Sequence, residues 1–61
     1  MVTERYFVIV TLKNGRRFKA EKTIRSDGSH YAVNKIISDI VRDEFRGYDV
    51  LSFGFNYSNE A

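Results

Sequence analysis

The chain contains no cysteine, so it can build neither a disulfide framework nor a thiolate metal site, which suits a reducing cytoplasm. No apolar run approaches the roughly 18 residues that a membrane-spanning helix needs, and no charged segment followed by an apolar stretch has the form of a signal peptide. The expectation is a cytoplasmic protein that stays off the membrane. Internal repeats, low-complexity tracts and linkers are also missing, so residues 1–61 read as a single domain, near the lower size limit for folding without disulfides or metal. The one histidine, His30, has no second His or Cys to work with, and a catalytic base or metal ligand needs partners. Asp39, Asp43 and Glu44 lie close together, but Lys35, Arg42 and Arg46 interleave with them, as on a salt-bridged surface. The glycines Gly15, Gly28, Gly47 and Gly54 are scattered and form no phosphate-binding loop. On this inventory no enzymatic activity, cofactor, metal or small-molecule substrate is expected.

What the chain does have is apolar and aromatic substance, 43% and 15% of residues, which argues against disorder. It is concentrated first in residues 5–12, RYFVIVTL. In a strand, Tyr6, Val8, Val10 and Leu12 point one way and Phe7, Ile9 and Thr11 the other, so both faces seek to leave water. Such a segment belongs in the middle of a sheet. Residues 1–4 read as a polar lead-in.

Asn14-Gly15 follows, between two extended runs, and is the strongest short-range signal for a β-hairpin. Two registers compete. A two-residue turn sets Thr11 opposite Phe18 and Ile9 opposite Ala20. A three-residue loop, with Gly15 left-handed as a bulge, sets Val10 opposite Phe18 and Val8 opposite Ala20. A slip of one residue exchanges the faces of every side chain, so this choice decides which row is buried. The bulged register is preferred, because it joins Phe18 and Ala20 to the longer apolar row and leaves Phe7 and Ile9 on the open face beside Arg17 and Lys19.

The second strand, residues 16–24, alternates with Phe18, Ala20 and Ile24 on one parity. Residues 25–29 form a loop in which Ser29 or Asp27 can cap the next helix. From residue 30 to 46, Val33, Ile36, Ile37, Ile40, Val41 and Phe45 recur at helical spacing and define one apolar stripe, with Gly47 as a stop. Residues 49–58 alternate Leu51, Phe53, Phe55 and Tyr57, expected under the helix, with small polar residues; residues 59–61 are a short tail. A right-handed crossover makes the third strand antiparallel to the first. The expected fold is therefore α+β: ββαβ, a three-stranded antiparallel sheet of order 2-1-3 with one helix packed on one face.

One helix cannot cover both faces of the first strand. The uncovered face, with Phe7 and Ile9 at its centre and Arg17, Lys19, Ser52, Gly54 and Asn56 around them, has the apolar middle and polar rim of an interface. Charge adds to it: net charge is only +2, but Lys13, Arg16, Arg17, Lys19, Lys22 and Arg25 crowd one segment against a single acid, Glu21. The candidate partner-binding residues are Phe7, Ile9, Lys13, Arg16, Arg17 and Lys19. Two partners fit: a protein, which could be a second copy of the chain, or a nucleic acid met by the basic hairpin with Phe7 stacking on a base. The plan of hairpin, one helix and closing strand in a small, cysteine-free, basic chain resembles small phage-encoded proteins that bind and disable a host enzyme or defence complex. That resemblance of architecture and size implies a non-enzymatic inhibitor that occludes its partner.

Overall fold

The computed structural model describes residues 1–58; the short tail read from the sequence lies outside them. Four elements follow in order: β1 (Val2–Leu12), β2 (Arg17–Ser26), α1 (His30–Glu44) and β3 (Val50–Tyr57). The sheet order is β2-β1-β3 with β1 antiparallel to both neighbours, so the strand with two apolar faces is central. Its pairing runs further than hydropathy suggested. Val2 already faces Ser26, and Thr3 and Glu4 face Arg25 and Ile24, so the polar lead-in is strand and β2 continues past Ile24.

The hairpin adopts the bulged register. Val10 faces Phe18 and Val8 faces Ala20. Gly15 sits at φ 92°, the left-handed conformation that glycine adopts without a Cβ clash. The Leu12 N–H donates to the Arg16 carbonyl at 2.8 Å and the Gly15 N–H to the Leu12 carbonyl at 3.0 Å, closing a loop of Lys13, Asn14 and Gly15. The Asn14 Oδ1 accepts from the Arg16 N–H at 2.9 Å and holds the turn from inside.

Ser29 caps α1, its Oγ accepting from the Ala32 N–H at 3.2 Å, while Asp27 accepts from the N–H of Ser29 at 2.8 Å. The helix ends at Glu44, two residues earlier than the apolar spacing indicated, because Phe45 takes a non-helical backbone as C-cap and Gly47 turns the chain at φ 90°. Val33, Ile37 and Val41 form its buried stripe and meet Tyr6, Val8, Val10, Leu12 and Ile24 in one core. The buried Tyr6 hydroxyl donates to Glu4 at 3.0 Å, and burial together with that bond pushes its pKa up.

Coverage fades toward the sheet margins. A helix about 10 Å across spans roughly two strands spaced about 4.8 Å apart. Phe18 and Ala20 occupy core-side positions but stay exposed, Phe18 at 38%, with the Phe45 ring 5.4 Å from the Phe18 ring. Lys22 also takes a core-side position, and its Nζ meets Glu44 at 2.6 Å, tying β2 to α1. On the other margin, Phe53 and Phe55 pack against the core as expected, but Leu51 does not. The register shifts there: Thr11 faces Ser52 and Leu12 faces Val50, so the bulge skips Leu51 and Val50 takes the inward place. Leu51 is left 63% exposed, and Tyr57, stacked on Tyr6 at 5.0 Å, is 51% exposed.

Chemical denaturation distinguishes these positions. Ile37→Ala, at the centre of the core, is expected to cost about 2–5 kcal/mol, whereas Leu51→Thr should stay within about 0.5 kcal/mol. Equal losses would contradict the bulge.

Candidate functional site

The face of the sheet turned away from α1 is built by the odd-numbered residues of β1. Phe7, Ile9 and Thr11 are half-buried there, although among the described residues no helix or strand lies over them. Their cover comes from within the sheet. Ile9 is flanked by Lys19 and Gly54, Phe7 by Glu21 and Asn56, and Thr11 by Arg17 and Ser52. The Lys19 Nζ lies 4.5 Å from the centre of the Phe7 ring, a cation–π contact that lets the aliphatic stem of the lysine shelter apolar surface. Gly54 leaves the other side of Ile9 bare, since a Cβ there would meet no atom within 4 Å. The result is an apolar strip with Arg17, Lys19 and Glu21 along one margin and small polar residues along the other. A shallow hollow beside Ile9, Arg17 and Lys19 opens onto it.

Of the candidate residues, Phe7, Ile9, Arg17 and Lys19 share this face. Lys13 sits in the exposed hairpin loop, with its N–H bonded to the Asp49 carbonyl at 2.8 Å. Arg16 turns away: its guanidinium lies 5.8 Å from the Phe18 ring, on the side of the sheet that carries the helix.

A strap across the three strands was not evident in the sequence. Glu21 on β2 accepts from the Nε of Arg5 on β1 at 3.1 Å and from the Oγ of Ser58, just past β3, at 2.7 Å. Both partners stabilise the anion, the Ser58 hydrogen bond most, and they hold the Glu21 carboxyl below the ordinary carboxylate range. The signal that could have found it was the pairing length: once β1 and β2 pair to their far ends, Arg5 and Glu21 are diagonal neighbours on one face.

Several of the other titratable groups have partners within the structure. Asp39 pairs with Arg42 at 3.1 Å, Asp43 with Arg46 at 2.9 Å and Glu44 with Lys22. His30 stacks on Phe55 with ring centres 5.3 Å apart. Among the described residues no three His, Asp or Glu side chains group in a way that could hold a metal ion. Open grooves of about 600 and 220 Å³ flank the C-terminal half of α1, floored by Val41, Phe45 and Phe53 on one side and by Val8, Val10 and Phe18 on the other. What the outer face can do is press an apolar strip against a surface while Arg17 and Lys19 meet acidic or polar groups. No helix of the described residues is long and apolar enough to cross a membrane.

The chain matches no protein-family model, no curated protein and no solved structure.

Because the fold lowers the Glu21 pKa, the stability this group contributes is present above its unfolded-state value and is lost as pH falls through the lowered value. In a carboxyl-carbon NMR titration, Ser58→Ala and Arg5→Ala should each move the Glu21 midpoint upward, Ser58→Ala the more. A midpoint indifferent to both would mean that the strap does not form.

Proposed function

We propose that the protein is a non-enzymatic binding module that occludes a protein partner through the outer face of its sheet, with the basic hairpin as the adjoining contact. The observation that carries this reading is the half-buried Phe7 and Ile9, over which no helix or strand of the described residues lies, on a strand whose other face is the core. Apolar groups held at the centre of a rigid sheet and framed by Arg17 and Lys19 match the anatomy of interfaces, where a dehydrated middle supplies affinity and a charged rim supplies orientation. Lys13 and Arg16 extend the contact beyond the hairpin end. The action envisaged is that of the small phage-encoded inhibitors whose plan the chain resembles, exerted in the cytoplasm.

A nucleic-acid partner draws less support. Such binding needs cations facing one way, and here Arg5 is paired with Glu21, Lys22 with Glu44, and Arg16 lies against the opposite side of the sheet.

Phe7→Ser combined with Ile9→Thr tests the reading. The doubly substituted protein should keep the wild-type circular dichroism spectrum while losing capture of the partner that the wild type retains from a host-cell lysate. Unfolding would show the row to be core, and undiminished capture would move the contact elsewhere. Capture that falls steeply with added salt and disappears after nuclease treatment would favour the nucleic-acid reading instead.

A further inference from the structure

The two edges of the sheet are guarded very differently. β2 carries Arg17, Lys19, Glu21, Lys22 and Arg25, with Lys22 on the core side, and charges so placed keep an edge strand from pairing with another. β3, VLSFGFNY, carries no charge and no proline over its eight residues. Its free edge is a template for pairing, flanked by the exposed Leu51 and Tyr57.

The hydrogen-bond pattern fixes which groups that edge presents. The Leu12–Arg16 pair is hydrogen-bonded, so the even-numbered residues of β1 bond to β2 and the odd-numbered ones to β3; the Ser58 N–H donating to the Arg5 carbonyl at 3.0 Å follows this rule. Ser52, Gly54 and Asn56 face those odd positions, which leaves the N–H and C=O groups of Phe53, Phe55 and Tyr57 directed outward. Around Gly54 the strand reads alike in both directions. Phe53 mirrors Phe55, Ser52 mirrors Asn56, and Leu51 mirrors Tyr57. Gly54 itself has no positive φ and no atom within 4 Å of a Cβ, so nothing within its own chain calls for glycine. A glycine in a strand interior commonly marks the close approach of another backbone.

We propose that the protein self-associates through its β3 edge, pairing antiparallel with β3 of a second copy about a twofold axis at Gly54, to form a continuous six-stranded sheet. In this register Phe53 of one copy exchanges both backbone hydrogen bonds with Phe55 of the other, Ser52 faces Asn56, and glycine faces glycine. Leu51, which the bulge pushes out of its own core, meets Tyr57 of the second copy at each end. Shifting the register by one residue sets free groups against groups already bonded to β1. Shifting it by two carries Leu51 or Tyr57 beyond the partner strand. The interface is isologous and closes on itself, giving a dimer rather than a fibre. It also sets two Phe7–Ile9 strips on one face, three strand spacings or roughly 14 Å apart, a consequence beyond the binding reading and independent of it.

Sedimentation of the wild type should give twice the chain mass. Ser52→Lys with Asn56→Lys, which opposes two lysine pairs across the axis, should give a folded monomer. Gly54 pairs with itself at a non-hydrogen-bonded position, where Cα atoms lie about 4.5 Å apart, within disulfide range. In a chain without native cysteine, Gly54→Cys should therefore oxidise to a covalent dimer at least tenfold faster than Ser52→Cys, which faces asparagine. A wild type that sediments as one chain at every concentration, a dimer indifferent to the lysine pairs, or equal cross-linking of the two cysteine variants would overturn the proposal. Should Gly54→Cys fail to fold, the wild-type and lysine measurements decide.

Discussion

β1 is hydrogen-bonded along both edges, and that double commitment governs everything else in the structure. A strand locked between two neighbours cannot rotate, so each side chain belongs to one face or the other. Tyr6, Val8, Val10 and Leu12 are delivered to α1 and form the core with Val33, Ile37 and Val41. Phe7 and Ile9 are delivered with equal rigidity to the face that α1 cannot reach. The same register that makes the core thus sets Phe7 and Ile9 on the outer face, where the Lys19 side chain lies over the Phe7 ring.

Exposed ion pairs decorate this frame without carrying it. Pairs such as Asp39–Arg42 and Asp43–Arg46 are largely solvent-exposed, and pairs of that kind contribute about 0–1 kcal/mol each. Stability therefore rests on the apolar layer between α1 and β1. Surface charge is thus free to vary between the edges, and β2 and β3 differ sharply in it.

Much of this was legible in the residues. Alternation on both parities placed β1 at the centre, and Asn14-Gly15 together with the position of Phe18 selected the bulged hairpin. The helix was visible in the recurrence from Val33 to Val41. Other features depend on contacts that one-dimensional patterns do not encode. Leu51 continues the alternation of Phe53 and Phe55, so a bulge that expels it leaves no trace in hydropathy. Thr3 and Glu4 look like a lead-in because they are polar, yet they are strand because Arg25 and Ile24 on β2 supply the ladder. Phe18 and Ala20 have the right parity for burial, yet the width of one helix leaves them at an uncovered margin. Of the candidate site, the shared face of Phe7, Ile9, Arg17 and Lys19 followed from parity, whereas the turning of Arg16 toward Phe18 and the strap from Glu21 to Arg5 and Ser58 depended on side-chain reach.

One face of β1 is sealed by α1, whereas no helix or strand of the described residues covers the other. Solvent paramagnetic relaxation, measured on methyl and aromatic protons with an inert soluble radical, reads that asymmetry directly at dilutions where the chain is monomeric. The Ile9 methyl and Phe7 ring protons should relax clearly faster than the methyl groups of Val8, Val10 and Ile37, which should relax little. Equal protection of both rows would contradict it.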